Sequence, residues 1–377
     1  FGQPFWNFGL CTYAFASATQ LVCCIGRNAV SRLAVLDTRS LQLREIDTPC
    51  SSFGNIAAAD GQVLFTGASP LQPASVYLLQ LDSGRLELLR RGSALDVDPD
   101  DTSVAQPIEF PTAGGLTAHA FYYPPKNRDF TAPAGEKPPL LVMGHGGPTS
   151  MAVDAYRAGV QYWTSRGIAV LDVNYGGSSG FGRAYRQRLD GQWGVVDVMD
   201  CIHGAQFLVQ RGQVDGQRLI IRGGSAGGFT TLSALTFHDS FACGASLYGI
   251  GDLETLATDT HKFEARYLDR LVGPYPAARD LYLARSPIHH LDGLKCPLIL
   301  LQGAEDAVVP PEQSRRMHAA LKAKGVPVAY LEFEGEQHGF RQLKNIVRAL
   351  QAEACFYSRV FDFTLADTVE PLLIDNL

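Results

Sequence analysis

The chain has 377 residues, of which 46% are hydrophobic and 19% charged, and its formal net charge is −6 at pH 7. This length suggests two domains, and the composition is that of a soluble globular protein with a large core. The negative balance provides no basic surface for nucleic acid, and no apolar run approaches the ~20 residues that span a bilayer. We therefore expect neither nucleic acid nor a membrane as a partner.

The eight cysteines do not have the pattern of a disulfide scaffold, a zinc site or a redox motif. Cys23 and Cys24 are adjacent, the other cysteines are scattered along the chain, and no C-x-x-C pair occurs. We expect reduced, buried cysteines in a cytoplasmic protein. No signal peptide is recognisable, but the chain begins at Phe1 rather than at a methionine, so a removed leader or a missing upstream segment stays open.

Residues 1–95 are predicted to be all-β and internally repeated. The segment 37–43 recurs as 82–88, an offset of 45 residues, and 18–22 recurs as 60–64, an offset of 42 residues. Such a period, with several short strands per unit, is typical of β-propeller blades, with a β-sandwich as the alternative. Two blades cannot close a propeller, so we expect the chain to be the C-terminal part of a longer protein.

Residues 96–107 are predicted to form a linker, because Asp, Pro and Ser accumulate there without periodicity. From residue 108 to 377 the pattern becomes α/β, which predicts a mostly parallel sheet covered on both faces. Ligands of such a sheet bind beyond the carboxyl ends of its strands. The predicted strands are 108–111, 117–122, 140–144, 168–174, 218–222, 243–249, 297–302 and 328–333, and the predicted helices include 156–166 and 195–210.

A G-x-S-x-G motif at 223–227 lies between a predicted strand and a predicted helix, which is the setting of a nucleophile elbow. Glycines two residues on either side of Ser225 let the strand and the helix approach closely and permit a strained turn. The serine would present its hydroxyl at a helix N-terminus, where a developing negative charge is favoured. A second match at 176–180, around Ser178, continues into a flexible loop, so the sequence favours Ser225.

A serine nucleophile needs a base to take its proton and an acid to orient that base. In elbow-type hydrolases these partners follow in the order Ser, then Asp or Glu, then His. Glu305 and Asp306 both follow the predicted strand 297–302, and either could supply the carboxylate. His338 lies in a glycine-flanked loop after the next predicted strand and is the candidate base.

The developing oxyanion needs two N–H donors, one from the residue after the nucleophile and one from the loop after an early strand. Ala226 would supply the first. The glycines of the segment 145–148 would supply the second, with Gly147 favoured and its neighbour Gly146 as the alternative. We interpret His145 as structural rather than catalytic.

Taken together, these motifs resemble those of the prolyl oligopeptidase family of serine peptidases, particularly its acylaminoacyl-peptidase and dipeptidyl-aminopeptidase-like branch. The resemblance runs in register over residues 105–365. The matching segments are 145–148, 174–183, 193–198, 223–228 and 284–287, together with Asp306, Pro310, His338 and Gly339.

The resemblance implies an α/β-hydrolase catalytic domain preceded by β-propeller blades, in agreement with the repeat in residues 1–95. Family members place the catalytic acid four residues before the position held by Pro310, which implies Asp306 rather than Glu305. Many members have a tyrosine after the nucleophile, where this chain has Ala226, but only the backbone N–H is needed there.

The ordered set of motifs predicts a serine peptidase that hydrolyses short peptides through an acyl-enzyme intermediate. The resemblance implies that it is of the aminopeptidase, dipeptidyl-peptidase or acylaminoacyl-peptidase type. A carboxylesterase of the same fold is the alternative, because the triad does not distinguish esters from amides. An inert propeller binding protein is a further alternative, which the intact Ser-Asp-His set disfavours. No metal or organic cofactor is implied, and a homo-oligomer stays open.

Overall fold

The computed structural model contains three β-sheets in the part of the chain that it describes. Residues 1–8, 10 and 96, which belong to the predicted blade region and linker, lie outside that part. The described residues are 9, 11–95, 97–259, 262 and 264–377.

The first two sheets are four-stranded and antiparallel, and each consists of consecutive strands. The similar segments 37–43 and 82–88 lie at the turn between the third and fourth strands of each sheet. The similar segments 18–22 and 60–64 lie where the second strand of each sheet begins. These sheets are the predicted propeller blades. Their strands are β1 (Tyr13–Phe15), β2 (Gln20–Arg27), β3 (Val30–Asp37), β4 (Leu43–Ile46), β5 (Ser52–Ala59), β6 (Gln62–Ser69), β7 (Gln72–Gln80) and β8 (Leu86–Arg90).

The two blades share one apolar core. Val22 and Leu33 of the first blade and Val63, Phe65 and Leu79 of the second are fully buried and belong to the same cluster. Buried and more exposed residues alternate along β6, which is the pattern of strands with one covered face. The blades therefore stabilise each other by packing face to face.

The third sheet has eight strands in the order β16-β15-β14-β13-β11-β12-β10-β9. Strand β10 pairs antiparallel with β9 and β12, and all the other neighbours are parallel, as the sequence predicts. Every strand begins and ends within about two residues of its predicted position. The strands are β9 (Gln106–Pro111), β10 (Thr117–Tyr123), β11 (Leu140–Gly144), β12 (Ala169–Asn174), β13 (Leu219–Gly224), β14 (Cys243–Leu247), β15 (Leu298–Gly303) and β16 (Val328–Phe333).

Helices cover both faces of this sheet. Ile221 of β13 packs in one cluster with residues of α3, α4 and α8, while its neighbour Ile220 packs in another with residues of α1 and α9. Successive side chains of a strand point to opposite faces, so the two clusters lie on opposite sides. The helices are α1 (Ala158–Thr164), α2 (Arg183–Arg186), α3 (Val196–Gln210), α4 (Ala226–Phe237), α5 (Leu253–Asp259), α6 (Tyr267–Leu271), α7 (Arg279–Arg285), α8 (Pro311–Lys324) and α9 (Leu343–Val360).

The blades contact the segment between β11 and α1. The Ser51 hydroxyl donates to the Asp154 carboxylate over 2.7 Å, and the Tyr156 N–H donates to the Ser69 carbonyl over 2.8 Å. This segment begins with the glycine loop that follows β11. Strand β9 starts at Gln106, near the end of the predicted linker, and the division of the chain at residues 95 and 107 stays a prediction.

Among the described helices, none combines the length and the hydrophobicity needed to cross a membrane. All eight cysteines lie in the described part of the chain and none forms a disulfide. Most are buried or half-buried as expected, but Cys11 is exposed, because it lies on an open stretch before β1.

Candidate active site

Ser225 lies at the turn between β13 and α4 with φ 55° and ψ −122°. A side-chain-bearing residue at such a positive φ costs on the order of 1–3 kcal/mol, so its surroundings must hold it there. The Ser225 N–H donates to the Leu247 carbonyl on β14 over 3.0 Å, and the Ser225 carbonyl accepts from the Phe229 N–H of α4 over 3.0 Å. The predicted strand, turn and helix are therefore present and locked together.

The flanking glycines are required by close approach of backbone to backbone. A Cβ at Gly223 would lie 2.2 Å from the carbonyl oxygen of Gly227. A Cβ at Gly227 would lie 2.1 Å from the carbonyl oxygen of Gly144, at the end of β11. Helix α4 thus begins in contact with the two central strands, and this contact raises Ser225 above the edge of the sheet.

The side chains of Ser225, His338 and Asp306 form a continuous hydrogen-bonded line. The Ser225 Oγ lies 2.8 Å from His338 Nε2, and His338 Nδ1 lies 2.8 Å from Asp306 Oδ2. An ionised carboxylate only accepts, so Nδ1 carries the imidazole proton and Nε2 accepts from the serine hydroxyl. This tautomer is the one that a general base for Ser225 needs.

The Asp306 carboxylate is fully buried and is held by further donors. Its Oδ1 accepts from the N–H groups of Val308 and Val309, each over 2.9 Å, and its Oδ2 accepts from Gln302 Nε2 over 3.2 Å. Gln302 is itself fixed, because its Oε1 accepts from the Ser314 hydroxyl over 2.8 Å. The carboxylate therefore has one orientation, with Oδ2 directed at the imidazole.

Glu305 lies outside this arrangement. It is exposed, and its backbone N–H donates to the Glu336 carbonyl over 2.9 Å. Of the two adjacent acids that the sequence offers, the structure brings Asp306 to His338.

The loop that carries His338 is braced by Glu336, which the sequence did not single out. Glu336 is buried and accepts from the N–H groups of Arg341 and Gln342 and from the side-chain amide of Asn345, over 2.8–2.9 Å. Burial raises the pKa of Glu336, but these hydrogen bonds outweigh it and hold the pKa below its usual range. The anchored carboxylate fixes the position of the histidine loop at the start of α9.

Ala226 and Gly147, with its neighbour Gly146, line the same pocket as Ser225. Ala226 is the first residue of α4, where a backbone N–H has no partner within the helix. The loop after β11 approaches from the other side, since a Cβ at Gly146 would lie 3.6 Å from the Ser225 Cβ. Gly147 follows with φ 110°, a conformation that favours glycine.

Ser225, His338 and the glycine loop open on a pocket of about 630 Å³. A pocket of this size holds a small molecule or a few amino-acid side chains. Much of its wall is apolar, which favours an apolar group beside the serine. The apolar lining residues include Trp193, Ile250, Leu256, Leu268, Val308 and Val309.

Comparison with known proteins identifies the family. The model of the prolyl oligopeptidase family matches residues 154–364, more than half of the chain. The chain belongs to the prolyl oligopeptidase family. The resemblance inferred from the motifs is therefore confirmed.

Individual relatives agree with this assignment. The chain is 34% identical over 247 residues to dipeptidyl aminopeptidase BIII of Pseudoxanthomonas mexicana. The aligned region covers 63% of this chain and 36% of that protein. The chain is 32% identical over 222 residues to an acylamino-acid-releasing enzyme of Arabidopsis thaliana, covering 54% of this chain and 28% of that enzyme.

A solved structure matches the whole fold. A puromycin-hydrolyzing peptidase of Mycobacterium tuberculosis superposes with a TM-score of 0.96 and 44% identity over 100% of this chain and 57% of that chain. The predicted fold class, an α/β hydrolase preceded by propeller blades, is confirmed. This chain spans 28–57% of the length of the three relatives named here.

The second G-x-S-x-G match of this family member lies inside the protein. Ser178 is fully buried, and its Oγ lies 2.6 Å from His145 Nε2. It therefore has a histidine partner, but this histidine does not line the pocket, and its other ring nitrogen contacts the Gly146 carbonyl rather than a carboxylate. Of the two serines in G-x-S-x-G matches, Ser225 lines the pocket and Ser178 does not.

Asp197 is a fully buried carboxylate behind the elbow, in the family segment 193–198. It accepts from the Gly194 N–H over 2.7 Å and from the Thr230 hydroxyl of α4. Burial raises its pKa from 3.8 to about 6, although both hydrogen bonds act in the opposite direction. The folded protein therefore binds a proton at this site more tightly than the unfolded chain does.

Replacing Asp197 with asparagine should stabilise the protein at neutral pH. The pKa of Asp197 is higher in the folded protein than in the unfolded chain. The stability that this carboxyl contributes is therefore fully present below pH 3.8 and is lost as the pH rises through about 6. A neutral amide avoids that loss, so the free energy of unfolding should rise by about 3 kcal/mol at pH 8 and change little at pH 4. Urea unfolding of both proteins between pH 4 and 8 measures this. A difference that is constant across the range would contradict the assignment.

Proposed function

We propose that this chain carries the active site of a serine peptidase that hydrolyses short peptides through an acyl-enzyme intermediate. The observation that carries the proposal is the hydrogen-bonded line from Asp306 through His338 to Ser225, which ends at the pocket. The three relatives of this chain described above are a dipeptidyl aminopeptidase, an acylamino-acid-releasing enzyme and a puromycin-hydrolyzing peptidase. Their names support the aminopeptidase, dipeptidyl-peptidase and acylaminoacyl-peptidase types.

In this proposal the Ser225 Oγ attacks the scissile carbonyl and His338 Nε2 takes its proton. Asp306 holds the ring and stabilises the imidazolium. The N–H groups of Ala226 and Gly147 bind the oxyanion of the tetrahedral intermediate. His338 then returns the proton to the leaving amine, and a water molecule repeats the sequence on the acyl-enzyme to release the acid.

The pocket restricts the substrate. A cavity of about 630 Å³ with an apolar wall suits a short peptide with an apolar side chain beside the cleaved bond. The blades rest on the segment that follows the glycine loop, so the propeller side of the protein lies close to the site. Both features favour short peptides over folded proteins. A cytoplasmic location and the oligomeric state stay predictions.

A panel of chromogenic amides tests the proposal. The panel contains free aminoacyl, dipeptidyl and acyl-aminoacyl derivatives of the same apolar residue, with an acyl ester of matched size as the comparison. We expect turnover of at least one amide, and the class of the best amide assigns the subtype. Hydrolysis of the ester with no measurable turnover of any amide would instead identify a carboxylesterase.

A further inference from the structure

His145, which begins the glycine loop, uses both nitrogens of its ring. Its Nδ1 lies 2.9 Å from the Gly146 carbonyl oxygen, and its Nε2 lies 2.6 Å from the Ser178 Oγ. A carbonyl oxygen only accepts, so Nδ1 carries the proton and donates to it. Nε2 must then accept from the Ser178 hydroxyl. The hydrogen bonds run in one direction, from Ser178 through the imidazole to Gly146.

The surroundings hold this ring neutral and in place. Burial lowers the pKa of His145 to about 4, so one nitrogen donates and the other accepts at neutral pH. The Tyr175 ring stacks on the imidazole with centroids 4.2 Å apart. The Tyr175 hydroxyl lies 2.9 Å from the His145 carbonyl oxygen and 2.8 Å from that of Pro148, at the two ends of the glycine loop. It also lies 3.2 Å from His145 Nδ1, farther than the Gly146 carbonyl oxygen to which Nδ1 donates.

The Gly146 carbonyl belongs to the same peptide unit as the Gly147 N–H. In a planar trans peptide these two groups point in opposite directions, so holding the carbonyl oxygen fixes where the N–H points. A hydrogen bond accepted by the carbonyl also polarises the amide and makes its N–H a stronger donor. His145 therefore acts on the group that the proposed function uses as an oxyanion donor.

We propose that Ser178 and His145 are positioning residues that aim and polarise the Gly147 N–H of the oxyanion hole. No proton is transferred along this line, and neither side chain contacts the reacting atoms. The inference rests on the proposed function, in which Gly147 supplies one of the two donors. It gives a physical reason to choose Gly147 over Gly146, and it explains why a buried serine occupies the second G-x-S-x-G match.

The neighbouring serine provides a matched control. Ser179 is also buried, and its hydroxyl donates to the Thr149 carbonyl over 2.7 Å. Ser178→Ala and Ser179→Ala each remove one buried hydroxyl from the same loop, but only the first removes a partner of His145. A general loss of loop packing would affect both variants alike.

The test measures kcat and KM of the intact chain for an acyl ester, per active site counted by endpoint labelling with a fluorophosphonate. Ser178→Ala should lower kcat by about 10- to 100-fold with KM nearly unchanged, because a misaimed oxyanion donor weakens transition-state binding. Ser179→Ala should change kcat by no more than about threefold. Equal losses in the two variants, or a rise in KM alone for Ser178→Ala, would overturn the inference.

Two substitutions of His145 distinguish the effect of losing the N–H donor to Gly146 from the effect of losing the imidazole ring. His145→Leu removes the donor to Gly146, whereas His145→Asn keeps an N–H close to the position of Nδ1. We expect the asparagine variant to recover most of the kcat that the leucine variant loses. Ester turnover without peptide turnover in the unaltered chain would contradict the proposed peptidase only, since the oxyanion hole serves both reactions.

Discussion

Replacing Ser225 with alanine should abolish turnover and covalent labelling by a fluorophosphonate, while the protein stays folded. Loss of a triad serine lowers kcat on the order of 10⁶-fold, because neither the nucleophile nor the acyl-enzyme remains. The substitution keeps the Cβ and both backbone hydrogen bonds of the elbow, to Leu247 and Phe229. Labelling followed by mass spectrometry, together with the melting temperature, measures both parts of the expectation.

The control for this experiment is Ser178→Ala. It should still label to one phosphonate per chain at the endpoint, although its turnover is slower, because the buried hydroxyl faces His145 and not the pocket. If Ser178→Ala alone removed labelling and Ser225→Ala kept it, the nucleophile would have to be reassigned to the second G-x-S-x-G match.

The sequence predicted the fold well because its signals are local. The repeat of 37–43 as 82–88 marks the same turn in both blades, and the short β-branched runs bounded by glycine, such as 218–222, mark the central strands. Each signal depends on residues within one turn or one strand. Burial of the runs then requires a sheet covered on both faces.

The site was predicted less completely because the contacts that hold its catalytic side chains in place form only in the folded loops. The elbow around Ser225 could be recognised from five residues, but Glu305 and Asp306 are adjacent and the pattern alone did not separate them. Their difference arises from the turn after β15, where backbone N–H groups face Asp306. Gln302 and Glu336 have partners 4 to 12 residues away that only the folded loops bring to them.

Asp306→Asn should lower kcat by about 10⁴-fold without unfolding the protein. In this structure Oδ1 accepts from two backbone N–H groups, those of Val308 and Val309, so the amide oxygen of asparagine must take that position. The NH₂ group is then directed at His338 Nδ1, which has to accept instead of donate. The proton moves to Nε2, and the imidazole can no longer take the proton of Ser225.

Glu305→Gln is the matched control, since it makes the same chemical change one residue earlier. Its side chain is exposed, and only its backbone contacts the histidine loop, so kcat should stay within about twofold of the original. Steady-state kinetics of both variants with one amide substrate, at equal active-site concentration, measures the ranking. A loss that is larger for Glu305→Gln than for Asp306→Asn would move the orienting acid to Glu305. The hydrogen bond between Asp306 and His338 would then have to be broken in the active form of the enzyme.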